Sequence, residues 1–164
     1  MTNAETLKVT THGDREVVMT RLFDAPRALV WDAFTNPELL KQWLIGPPGW
    51  SMVVCEVTLN VGGRYRYVWR DTGGNEMGVG GIFREIVPPE RIVSTEKFDQ
   101  PWYPGEAVGT VALVEHEGKT TLTQTILYES RAARDAVLKS PMEQGLAASY
   151  NRLAKLLSSP DHES

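Results

Sequence analysis

The 164-residue chain predicts an α+β domain, and three features of its sequence carry that prediction. Residues 51–128 alternate apolar and polar side chains with a period of two, interrupted only by turn signals. Two short segments with helix-start signals stand before that stretch. After it comes a segment almost free of β-branched residues, with an apolar stripe at helical spacing. A single sheet must then bury one face under a terminal amphipathic helix.

The elements follow in order. "EVVMTRLF", residues 16–23, is β-rich and reads as a strand. In "DAPRALVWDAF" Asp24 is placed as an N-cap, with Pro26 just inside a first short helix. "NPELLKQW" repeats the device: Asn36 caps, Pro37 takes the first helical position, and Leu39, Leu40 and Trp43 recur at helical spacing. The run "GPPGW", Gly46 to Trp50, can be neither helix nor central strand, because proline lacks a donor and glycine tolerates positive φ. It is read as a rigid turn. Six strands are expected at about 51–58, 63–70, 76–87, 90–98, 106–115 and 119–128, separated by "NVGG", "DTGGN", "VPPE", "QPWYPGE" and "HEGK". Such short connections imply an antiparallel meander. In the closing segment Pro141 separates a short opening helix from the main one. There Met142, Leu146, Ser149, Tyr150, Leu153, Leu156 and Leu157 share one stripe, opposite Glu143, Asn151, Arg152 and Lys155. The whole is one domain with a core at about 15–158 and flexible ends at 1–14 and 159–164.

Composition narrows the function classes. The chain is 41% hydrophobic and 23% charged with a mean hydropathy of −0.27, as in soluble globular proteins. No apolar run approaches the ~20 residues of a membrane helix, and the N-terminus shows no export signal, so a cytoplasmic location is expected. A formal charge of −4 with both signs interspersed argues against nucleic acid or anionic membrane as partners. The only cysteine, Cys55, excludes an internal disulfide and reads as a small buried hydrophobe. "GVGGIF" lacks the third glycine and the helix of a dinucleotide fingerprint, and "EGKT" has Leu113 where a phosphate loop needs glycine. His12, His116 and His162 have no metal-ligand spacing, and no Gly-x-Ser-x-Gly occurs. No catalytic constellation, metal or cofactor is expected.

Alternation also sorts residues by face. Tyr65, Tyr67 and Trp69 share one face, against Arg64, Arg66, Val68 and Arg70. Met77, Val79, Gly81 and Phe83 form another set. Leu122, Gln124, Ile126 and Tyr128 oppose Thr121, Thr123 and Thr125, which leaves Gln124 as a polar group on an apolar face. It is either a core amide with an internal partner or an anchor for a bound ligand. Glu96 alternates with Ile92, Ser94 and Phe98, and the pattern does not decide which of its faces is buried. Turned inward, it would be suited to proton transfer; turned outward, it is a solvated strand residue. Gly145, on or beside the helix stripe, serves close packing or leaves room for a ligand.

"FDAPRALVWDAFTNPELLKQW", "GPPGW", "GGRYRYVWRD", "GGIFREIVPPERIV" and "MEQGLAASYNRLAKLL" together resemble the bacterial single-domain branch of the activator-of-heat-shock-ATPase homologue family. That family belongs to the START-like, helix-grip (SRPBCC) superfamily. The resemblance covers about residues 15–158 and implies a curved antiparallel sheet gripping the C-terminal helix, with a hydrophobic cavity between them. It implies a rim of Trp43, Pro47, Pro48 and Trp50, and walls from Phe34, Tyr65, Tyr67, Trp69, Phe83, Gln124, Leu146 and Tyr150. Many relatives carry tryptophan where this chain has Leu146, so the implied cavity differs there. A small apolar or aromatic ligand is the partner this reading favours. One alternative resembles the superfamily's aromatase/cyclases or hydrolytic members, with Glu96, Gln124 or a tyrosine acting on substrate. Another is a co-chaperone of a heat-shock ATPase, although the eukaryotic activators use an additional N-terminal domain that this sequence does not show. Either a monomer or a homodimer is compatible with the resemblance.

Overall fold

A computed structural model of the chain describes residues 7–45, 49–99, 105–140 and 142–158. The readings of Gly46, Pro47, Pro48, Pro141, the Met142 side chain and both extreme ends, 1–6 and 159–164, lie outside the described residues. The elements run β1 (Lys8–His12), β2 (Glu16–Phe23), α1 (Arg27–Thr35), α2 (Pro37–Trp43), β3 (Trp50–Val57), β4 (Arg64–Asp71) and β5 (Glu76–Val87). They continue through β6 (Arg91–Phe98), β7 (Ala107–His116), β8 (Lys119–Leu127), α3 (Arg131–Leu138) and α4 (Met142–Leu157).

All eight strands form one antiparallel sheet in the order β1-β2-β8-β7-β6-β5-β4-β3. The six strands expected from alternation make the meander from β3 to β8, which returns to β2; α1 and α2 carry the chain from β2 to the far edge. The sheet curves around α4 in the helix-grip arrangement. Bulges between Met52 and Val54 and between Phe83 and Glu85 bend it, since an extra residue on one strand kinks the ladder and increases its twist.

Two local expectations need correction. Residues 8–12 are an edge strand paired with β2, not part of a flexible end, and the chain reverses through Gly13 at φ 61°. Asp24 does not cap α1: the N-cap is Pro26, which offers no side-chain bond, and the Arg27 amide donates to Glu115 Oε1 of β7 at 2.7 Å. A carboxylate from another element therefore satisfies one orphan donor of this helix. Asn36 behaves as expected, its side chain accepting from the Glu38 amide at 3.0 Å, and Ser130 caps α3 by accepting from Ala133 N–H.

Register shows which side is inside. Tyr67 lies opposite Cys55 and Val79, Val79 opposite Phe98, and Gln124 opposite Met19 and Val111, so these residues share the inner face. Under it, Tyr150, Leu153 and Leu157 of α4 join Phe23, Trp31, Leu40, Trp43, Tyr65 and Phe83 in the larger core cluster. A second cluster gathers Val17, Met19, Ile126 and Tyr128 under Ala133 and Val137 of α3. Leu146 of α4 packs against both.

Candidate functional site

The aromatic residues singled out in the sequence come together as two groups. In the first, Trp43 packs against Phe34 (ring centroids 4.9 Å apart) and Tyr150 (5.8 Å), and Tyr150 meets Phe23 edge-on at 6.0 Å. Such edge and tilted contacts suit the ring quadrupoles. The second group lies on β4 and β5: Tyr65 contacts Tyr67 at 5.0 Å and Phe83 at 5.6 Å, and Tyr67 meets Trp69 at 6.0 Å. Trp69 Nε1 donates to the carbonyl of Leu44 at 2.6 Å, which ties the end of α2 to β4. Trp50 opens β3, half-buried, and belongs to neither core cluster. Gly145 is half-buried on α4 beside Leu146.

The polar groups of the inner face give the site its chemistry. Gln124 has an internal partner, since the Tyr150 hydroxyl donates to its Oε1. Its amide NH2 makes no hydrogen bond among the described residues. Tyr67 is half-buried as a residue, yet its hydroxyl is deep enough that burial, with the Cys55 thiol beside it, pushes the phenol well above its usual pKa. That hydroxyl also has no partner among the described residues. Burial raises the Tyr150 phenol and the Cys55 thiol as well. Both phenols are thus neutral donors at pH 7, and Cys55 is a thiol. Glu96 faces inward: it lies opposite the fully buried Ala107, and its neighbours Ser94 and Phe98 lie opposite Phe83 and Val79. The register settles what alternation left open.

Two small residues of this face, and the partner of one buried arginine, escape a reading of the sequence. Ser94 and Gly109 lie opposite one another at the middle of the inner face, half-buried, and a Cβ at Gly109 would meet only the Ser94 carbonyl oxygen, at 3.9 Å. Small residues leave no periodic signal. Arg21 is 5% exposed, with its guanidinium 5.2 Å from the Phe23 ring centroid and Nη1 donating to Asn151 Oδ1 of α4 at 2.9 Å. Its position on the inner face follows from alternation, but its partner lies 130 residues away.

A pair of substitutions separates the two tyrosines. Tyr150→Phe is expected to cost about 1–2 kcal/mol of unfolding free energy, because Gln124 Oε1 loses its donor. Tyr67→Phe is expected to leave stability within about 0.5 kcal/mol of the parent, or raise it, because no bond is lost. Urea denaturation of both variants checks the difference; equal losses would mean that the Tyr67 hydroxyl has a partner.

A separate groove of about 540 Å³ opens on the outer face, where Gly80 leaves the sheet bare between Arg64, Arg66, Glu56 and Ile82. Of the aromatic residues named above only Tyr65 borders it. Among the described residues, no group of three or more His, Cys, Asp or Glu is placed to hold a metal ion, and no helix is long and apolar enough to cross a membrane.

The family model for Activator of Hsp90 ATPase homolog 1-like protein matches residues 24–158. The chain belongs to that family. A Rhodobacter sphaeroides protein of known crystal structure is 31% identical to this activator-homologue chain, covers 93% of it and 98% of its own length, and superposes with a TM-score of 0.88. A Nitrosomonas europaea protein is 26% identical over 89% of this chain and 96% of its own, with a TM-score of 0.78. A Mycobacterium smegmatis protein, 23% identical with a TM-score of 0.82 over 93% of this chain and 98% of its own, shares the fold. No curated protein matches in sequence. Membership of the activator-homologue family supports a ligand-binding or activator-type function in general.

Proposed function

We propose that the chain binds a small, largely apolar or aromatic molecule between the inner face of the sheet and α4. One observation carries this reading. On the inner face Tyr67 and Val111, packed against the larger cluster, and Ser94, Gly109 and Gln124, which belong to neither cluster, remain partly exposed although helices pack over both ends of that face. Sites of this kind are concave and apolar with a few convergent polar groups. The two aromatic groups supply the apolar walls, and Tyr67 and Gln124 supply the polar points. A cytoplasmic location, supported by composition, belongs to the same reading.

Native mass spectrometry beside the denatured spectrum tests it: an excess mass that disappears on denaturation is the expected result. The Leu146→Trp variant is expected to lose that mass while keeping a cooperative thermal transition, because Leu146 faces both clusters and a larger side chain there fills the space between them. A bare protein that gains no thermal stability from apolar compounds would overturn the reading. The family's description supports a second one, activation of a heat-shock ATPase. Calorimetry that detects no association with that chaperone would remove it.

A further inference from the structure

The geometry points to an interior that selects aromatic molecules bearing a hydrogen-bond acceptor, such as a ketone, ester or amide carbonyl, over hydrocarbons of the same shape, with Gln124 Nε2 as the selecting donor. This rests on the binding reading above and adds to it the chemical class of ligand. Gln124 is placed by β8 on the inner face, flanked by Leu122 and Ile126, which are 0% and 4% exposed, and opposite Met19 and Val111. In apolar surroundings an amide needs partners for both its ends.

Tyr150 decides which end is left over. Its hydroxyl lies fully inside the core, with the Gln124 side chain as its one hydrogen-bond partner among the described residues. If the amide were reversed, Nε2 would donate to the phenol oxygen, and both the Tyr150 hydrogen and Gln124 Oε1 would go unpaired. With the phenol donating to Oε1, only the NH2 is left without a partner. Tyr150 thus acts as a positioning residue that fixes the amide with its two donors towards the unfilled part of the inner face. An acceptor-bearing ligand completes the set; a hydrocarbon would bury those donors unpaired. That asymmetry is the strongest source of discrimination available to a small apolar site, since a missing partner is penalised far more than a missing methylene.

Isothermal titration calorimetry with three matched pairs of probes tests this: the acetyl and ethyl derivatives of benzene, naphthalene and biphenyl, each pair nearly equal in shape. The wild-type chain is expected to bind at least one ketone about tenfold or more tighter than its ethyl partner. In the double variant Gln124→Met/Tyr150→Phe both bonded groups become apolar at similar volume, a change that is nearly neutral for stability. There the ketone preference is expected to vanish while the hydrocarbon still binds. Equal wild-type affinities within every pair would overturn the inference and leave the binding reading standing. A preference that survives in the double variant would overturn the assignment to Gln124. Failure of all six probes to bind would overturn the binding reading and the inference together.

Discussion

Trp43→Ala is expected to lower the unfolding free energy by about 3–5 kcal/mol, the range for deleting a large aromatic from a packed core. Trp43 is 1% exposed although it ends a seven-residue helix, because that helix has no independent stability and is held by what its last residue buries. The indole contacts Phe34 of α1 and Tyr150 of α4, and its Nε1–H donates to the Ala33 carbonyl at 2.8 Å. That carbonyl lies in the last turn of α1, where helix carbonyls lack a partner of their own. One side chain therefore joins three helices and satisfies a buried acceptor. Removing it leaves a cavity, an unpaired carbonyl and an α2 with little to seat it. Trp43→Phe keeps much of the ring contact and loses the donor, so an intermediate cost of about 1–2 kcal/mol is expected. Urea unfolding followed by circular dichroism gives both values. A cost below about 1.5 kcal/mol for the alanine variant would mean that α2 is seated by Leu40 and Leu44 instead.

The sheet was legible in the sequence wherever one face of a strand is buried and the other is not. β2 alternates along its whole length and β8 buries Thr120, Leu122 and Ile126 in step, whereas β4 also buries Val68 of the opposite face and β5 loses step at its bulge; the aromatic face of β4 still lies inside as the pattern implies. β1 was not legible for the same reason: it is an edge strand in which Val9 alone is half-buried, so "KVTTH" has no alternation to detect. Asp24 misled because the local cap pattern is present while the bond that matters comes from Glu115, 88 residues away. Glu96 shows the limit within a strand. Alternation groups it with Ser94 and Phe98, but only the register with β5 and β7 says that this set faces α4.

The candidate site was legible in its large side chains and silent in its small ones. Tyr65, Tyr67, Trp69 and Phe83 are visible because aromatic residues at period two have few alternatives to a buried face. The partner of Gln124 needed the crossing of α4 over β8, which no local signal carries. Ser94 and Gly109 are ordinary residues in any strand; what distinguishes them is the space above them, which belongs to the fold.

Gly81→Ala is expected to cost about 3–4 kcal/mol, more than most single-methyl insertions, because the methyl would meet backbone and not a movable side chain. The register between β5 and β6 runs through Gly80↔Lys97 and resumes at Phe83↔Ser94, and two substitute bonds occupy the gap. The Tyr65 hydroxyl donates to the Thr95 carbonyl at 2.7 Å, and the Ile82 amide donates to Thr95 Oγ1 at 2.9 Å. A Cβ at Gly81 would lie 2.7 Å from the Thr95 carbonyl carbon and closer still to its oxygen. The strands would have to separate there and both bonds would weaken, which adds about 1 kcal/mol each to the steric cost. Gly109→Ala is the control on the same inner face: its nearest neighbour is at 3.9 Å, so it is expected to be neutral or to stabilise by about 0.4–1 kcal/mol through the unfolded chain. Denaturation midpoints of the two variants decide the matter. A large loss at Gly81 alone means that the close approach of β5 to β6 is a fixed feature on which the concave inner face depends. Equal, small effects would mean that the two strands part easily, and a site whose wall yields that readily could not hold Gln124 and Tyr67 at set positions for a ligand.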